Sequence, residues 1–163
     1  MHIDSPQYGI IRQFQRNDID RILEIAGHSL TEYYTSSLIF DLYDSWPEGF
    51  SVYSIDGNIV AFMICARNTP NEARILMFAV DEHHRRQGIG VKLMQDFIEY
   101  CSRSGFISLK LEVKTDNDPA INFYKKIRVC DNIKAARILQ RCLRCLHNVE
   151  DNLKIRRLKQ SPL

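Results

Sequence analysis

The stretch that most constrains this chain is ARILMFAV-DEHH-RRQGIG-VKLMQDFIEYCSRSG, residues 73–105. Its first eight residues are nearly all apolar and read as a central strand with neighbours on both sides. A polar loop follows. Ile89, Leu93, Met94, Phe97, Ile98 and Cys101 then recur at the spacing of a helix with one buried face, which Gly105 ends. A second strand, ISLKLEV (107–113), comes next and alternates. Strand, helix and strand in this order indicate α/β layers with at least one parallel strand pair.

The flanking segments extend this layout. GIIRQF (9–14) reads as a short strand. NDIDRILEIAG (17–27) reads as a helix with Asn17 or Asp18 as cap, an apolar stripe of Ile19, Ile22, Leu23 and Ile25, and Gly27 as its stop. SSLIFDLYDSW (36–46) is a second helix, ended by Pro47. FSVYSI (50–55) and IVAFMICARN (59–68) are strands joined by a hairpin at Asp56-Gly57. DNDPAINFYKKI (116–127) is a helix that starts at Asn117 or Asp118, with Pro119 in its first turn.

Bulk properties narrow the setting. The longest apolar run, 59–66, is far short of the ~18 residues of a membrane span. The first residues, MHIDSPQ, carry no signal pattern, so a cytoplasmic protein with no membrane partner is expected. Cys65 and Cys101 sit in apolar surroundings and read as core filler. Cys142-x-x-Cys145 lacks a second ligand pair, and no metal site is expected.

The helix that begins at Gly88 poses a chemical question. A helix N-terminus offers free N–H groups and a partial positive charge, glycines let the backbone approach a ligand, and arginines add forked donors for phosphate. Arg85, Arg86, Gln87, Gly88, Ile89 and Gly90 together read as a pyrophosphate cradle. A Gly-containing turn with a solvated charge pair is the simpler alternative. No Gly-Lys-Ser/Thr follows, so it is not a P-loop, and the dinucleotide G-x-G-x-x-G is absent as well.

MFAV-DEHH-RRQGIG resembles the Arg/Gln-x-x-Gly-x-Gly/Ala block of the GCN5-related N-acetyltransferases. LEVKTDNDPAINFYKK (111–126) resembles that family's next block, Leu-Glu-Val-x-x-x-Asn-x-x-Ala-x-x-Phe-Tyr. The resemblance spans roughly residues 8–126. It is strongest to the ribosomal-protein alanine N-acetyltransferases and their archaeal relatives, which modify protein N-terminal amines. It implies a GNAT fold, a mixed central sheet flanked by helices, with acetyl-CoA as co-substrate. By the same resemblance, backbone groups of Phe78, Ala79 and Val80 meet the pantetheine arm and the thioester carbonyl. Residues Arg86 to Val91 hold the phosphates and Asn117 lies beside the cofactor. Tyr124 is the general acid at the sulfur, and Glu112 the general base, through water.

These residue types suit acetyl transfer. A carboxylate can take the amine's proton and a phenol can supply the leaving thiolate's. An α-amine has a pKa of ~7.7–8.0 against ~10.4 for lysine, so a modest base suffices for an N-terminus. The plainer roles are that strand alternation faces Glu112 to solvent and that Tyr124 is a core aromatic. His83 and His84 read as solvent-exposed loop residues; Tyr33 and Tyr34 either line an acceptor groove or simply pack. The acceptor can be a protein N-terminus or a small-molecule amine.

After FYKK the resemblance breaks. In place of a Gly-Phe turn and two closing strands comes IRVCDNIKAARILQRCLRCLHNVEDNLKIRRLKQSPL. Residues 1–124 hold 11 Lys+Arg against 17 Asp+Glu, and residues 125–163 hold 11 against 3. Codons permitted for residues 128–150, read one nucleotide later, spell GFVIILKLPEYYSDAYAVYIM and a stop. That restores the turn and two strands, and it suggests a single-nucleotide insertion near codon 128. The expected organisation is thus an N-acetyltransferase domain over 1–127 and an atypical basic tail over 128–163, helical or disordered, in place of the last two strands. The tail leaves three further readings open: a homodimer contact, a nucleic-acid arm resting on basic charge alone, or a non-catalytic acyl-CoA-binding protein.

Overall fold

The computed structural model describes residues 9–113 and 117–127; the atypical tail expected over 128–163 lies outside them. Five strands form one sheet in the order β1 (Gly9–Gln13), β2 (Phe50–Ile55), β3 (Asn58–Thr69), β4 (Glu72–Val80) and β5 (Ser108–Lys110). The first three pairings are antiparallel and β4–β5 is parallel, so the sheet is mixed as expected. Helices α1 (Ile19–Ser29) and α2 (Ser36–Ser45) cover one face. Helices α3 (Ile89–Arg103) and α4 (Asp118–Ile127) cover the other.

Two apolar clusters hold these layers. Phe14, Ile22, Ile25, Ile39, Phe50, Phe62, Ile64 and Met77 pack between the sheet and α1–α2. Leu93, Met94, Phe97, Cys101, Leu109, Leu111 and Tyr124 pack between it and α3–α4. Cys65 and Cys101 are both buried filler, as read. The hairpin forms where expected, with Asp56 and Gly57 at φ +50° and +81°, the left-handed pair of a tight turn.

Three details differ from the sequence reading. α1 runs through Gly27 to Ser29, and the Leu30 N–H closes on the Ala26 carbonyl at 2.8 Å. A glycine stops a helix by turning left-handed, and Gly27 is absent from the residues with positive φ. The strand expected over 107–113 is ordered as strand only over Ser108–Lys110. β4 has neighbours on both sides as expected, β3 and β5, but the middle strand of the five is β3, buried without a break from Ile59 to Cys65, and β5 reaches only the first three residues of β4.

The reason for the third difference lies in β4 itself. Its ladder to β5 pairs only Glu72–Arg74 with Ser108–Lys110. Among the described residues, 75–80 therefore have no strand partner on that edge, and the two parallel strands part. β4 also carries a bulge. Ile64 faces Met77 and Cys65 faces Ile75, leaving Leu76 without a counterpart on β3. The extra residue reverses the alternation: Ala73 and Ile75 join the α3–α4 cluster, whereas Met77 and Ala79 join the α1–α2 cluster. Phe78 and Val80 thereby turn toward α3 and α4, half-buried beside the split.

Candidate active site

The loop between β4 and α3 is anchored by one carboxylate. Asp81 Oδ1 accepts from the His83 N–H at 3.0 Å and lies 3.2 Å from His84 Nδ1, and its Oδ2 accepts from Arg21 Nη2 at 2.6 Å. Arg21 Nε also donates to the Ile59 carbonyl at 3.0 Å, which ties α1, β3 and the loop together. Burial pushes the Asp81 carboxyl up, but the bonds from His84, the His83 amide and Arg21 outweigh it and hold it down at about 2. His84 is thus engaged with Asp81, while His83 is exposed as expected.

Arg85 and Arg86 part company here. Arg85 turns back into the protein, its Nε donating to the Val80 carbonyl at 3.0 Å and its Nη2 to Ser29 Oγ at 2.9 Å. Arg86 is exposed, with φ +65°, a backbone region that non-glycine residues rarely occupy. Gly88 follows at φ +79°. Turns of this kind, leading into a helix, direct successive N–H groups toward one concavity that suits an anion. Gly88 is the N-cap of α3, and no side chain caps the helix there. The amides of Ile89, Gly90 and Val91 have no acceptor within α3, whose first bond is Lys92 N–H to the Gly88 carbonyl at 3.1 Å. The Ile89 side chain is itself core, so only its backbone faces outward chemistry. Gln87 donates from Nε2 to the His83 carbonyl at 3.3 Å.

Gly90 marks a convergence that the motif alone does not disclose. A Cβ on it would lie 3.2 Å from Phe123 Cε2 and 3.3 Å from Phe78 Cζ. β4, α3 and α4 therefore meet at this glycine. The Phe78 and Phe123 rings lie 5.5 Å apart, and Tyr124 meets Phe123 edge-on at 5.2 Å. Tyr124 is buried. Asn117 heads α4: its Oδ1 accepts from the Ala120 N–H at 3.2 Å, so it is the residue that caps this helix.

Glu112 stands elsewhere along the split. It is exposed and accepts from Arg74 Nη2 at 2.9 Å. The structure thus joins Phe78, Gly90, Phe123 and Tyr124 at the head of α3, and sets Glu112 two residues past the end of the β4–β5 ladder. The sequence reading missed Asp81, Arg21, Phe123 and Arg74. Asp81 carried a signal, since an Asp directly after a strand and two residues before His83 can cap a turn.

A parallel pair parted beyond its first three residues, with an uncapped helix start beside the gap, narrows the field of folds. Residues 19–128 match the acetyltransferase (GNAT) family. The chain belongs to that family. As a GNAT acyltransferase, it is similar to the crystal structure of Ard1 from Thermoplasma volcanium, at 51% identity and TM-score 0.71 over 72% of this chain and 80% of that one. It is similar also to N-alpha-acetyltransferase 30 of Schizosaccharomyces pombe, 29% identical over 67% of this chain and 75% of that one. The ribosomal-protein-S18-alanine N-acetyltransferase from Escherichia coli shares its fold, at TM-score 0.65 and 24% identity over 74% and 76% of the chains.

Proposed function

We propose that this GNAT protein transfers acetyl from acetyl-CoA to the α-amine at a protein N-terminus, by direct attack in a ternary complex. The observation that carries this is the left-handed backbone at Arg86 and Gly88 opening α3 beside the parted β4–β5 edge. A diphosphate needs converging N–H donors and fixed positive charge. The uncapped first turn and Arg86 supply both. The kinship with N-alpha-acetyltransferase 30 supports a protein N-terminus as acceptor.

In this reading the amides from Arg86 to Val91 hold the diphosphate, while Arg85 holds the loop in shape and contributes charge. The backbone edge at Phe78, Ala79 and Val80, which has no strand partner among the described residues, receives the extended arm that leads to the thioester. N–H groups directed at the carbonyl oxygen, where negative charge develops, contribute most to lowering such a barrier. Asn117 lies alongside at the head of α4. Tyr124 donates a proton to the departing thiolate, and Glu112 receives the acceptor's proton, through water. A site of this kind works on an α-amine more readily than on a lysine, because much of an α-amine is already neutral near pH 7–8.

The test incubates the purified chain with acetyl-CoA and peptides beginning with Ser, Ala or Met, and reads thiol release together with peptide mass. Acetylated peptides are the expected result. Transfer only to small amines, or coenzyme A binding with no transfer to any amine, overturns the proposal.

A further inference from the structure

Charges alternate in matched steps across the parallel pair. Glu72 and Arg74 follow one another on β4, and Lys110 and Glu112 follow one another on the neighbouring segment, all four on one side because strand side chains alternate with period two. Lys110 Nζ lies 2.8 Å from Glu72 Oε1, and Arg74 Nη2 lies 2.9 Å from Glu112 Oε1. Glu72 stands opposite Ser108, and Arg74 opposite Lys110. Each bond therefore reaches two residues ahead along its parallel partner. The first bond lies within the ladder. The second spans the place where the ladder ends and the split begins.

From this geometry we infer that Arg74 is a positioning residue: it aims the Glu112 carboxylate across the mouth of the split. The inference rests on the reading of Glu112 as the base. Past Lys110 the backbone around Glu112 has no ladder to β4 to fix its direction. A single charge-assisted bond from Arg74 Nη2 supplies what the ladder does not, because it fixes where the Glu112 Oε1 atom lies. The pair is too exposed to matter much for folding, with side chains 32% and 59% accessible. Its consequence belongs to turnover, where a small misplacement of a reacting group is costly.

The experiment compares Arg74→Met, Arg74→Lys, Glu112→Gln and the Arg74→Met/Glu112→Gln double variant for kcat, peptide KM, coenzyme A affinity and Tm. Arg74→Met should lower kcat roughly 10- to 100-fold, with coenzyme A affinity and Tm near those of the wild type. Arg74→Lys should restore part of the loss. In the Glu112→Gln background, Arg74→Met should cost nothing more. An unchanged kcat in Arg74→Met, or the same loss in both backgrounds, overturns the inference while leaving the transferase reading intact. Crystal structures give a readout independent of turnover: the Glu112 carboxylate should hold its place in Arg74→Lys and lose it in Arg74→Met. A carboxylate that stays put in Arg74→Met also overturns the inference.

Discussion

Gly88 and Gly90 share one short motif, yet the structure predicts opposite consequences for replacing them by alanine. Gly88 has open space around it and a φ of +79°, so Gly88→Ala adds no clash and only forces an L-residue into left-handed backbone. That costs about 1–2 kcal/mol, or about 2–8 °C in Tm at the ~2–4 °C per kcal/mol of a domain this size. Gly88→Asn should recover much of it, because Asn tolerates this region. Gly90 carries no such backbone demand. Its added Cβ would press on Phe123 at 3.2 Å and on Phe78 at 3.3 Å, so the rings must yield by a few tenths of an ångström. Mild overpacking of this kind costs ~1–2 kcal/mol, against ~1 kcal/mol gained by replacing glycine in a helix, which leaves a net cost of at most about 1 kcal/mol. Gly90→Ala should therefore change Tm by no more than about 4 °C. It should nonetheless slow acetyl transfer about tenfold or more, because Phe123 packs edge-on against Tyr124, the next residue, and displacing its ring disturbs that contact. Thermal unfolding followed by circular dichroism, beside steady-state kinetics, checks both. A Gly88→Asn protein as unstable as Gly88→Ala would refute the conformational argument. A Gly90→Ala protein with wild-type kcat would refute the coupling through Phe123.

Three further outcomes are expected. Because the folded Asp81 carboxyl is held at about 2, below its unfolded value of ~3.9, its contribution is complete above pH ~4 and fades as the pH falls toward 2; the Tm gap between wild type and Asp81→Asn should close across that window, and a constant gap would refute the linkage. Arg85→Ala should lower Tm by severing the loop from Val80 and Ser29, whereas Arg86→Gly should raise it slightly by relieving about 1 kcal/mol of left-handed strain and yet weaken coenzyme A binding by calorimetry; equal behaviour of the two would deny the division of labour. The coding DNA at codon 128, read one nucleotide later, should begin Gly-Phe and run to a stop near codon 149; any other reading removes the insertion hypothesis.

What the sequence disclosed follows from how locally each feature is encoded. The stripe from Ile89 to Cys101, the Asp56-Gly57 turn and the strand–helix–strand order are set by neighbours in the chain, and all appear in the fold. The bulge at Leu76 was hidden by its own effect. Ala73, Ile75, Met77 and Ala79 are all buried at every second position, as in an unbroken strand, although the first two face α3–α4 and the last two face α1–α2. Burial has the same period either way, so no hydropathy pattern separates the cases. The apolar run that reads as a central strand thus feeds two different cores, and beyond its first three residues one of its edges has no strand partner among the described residues. Arg85 and Arg86 show the same limit at the level of charge. They are identical side chains on consecutive residues, and only the φ of +65° at Arg86 and the reach of Arg85 back to Ser29 separate the proposed phosphate holder from the loop's anchor. Arg74 and Glu112 lie 38 positions apart and meet through a register of three paired residues. The sequence names the groups that suit acetyl transfer, but the break in that register decides which carboxylate a guanidinium can hold across the opening.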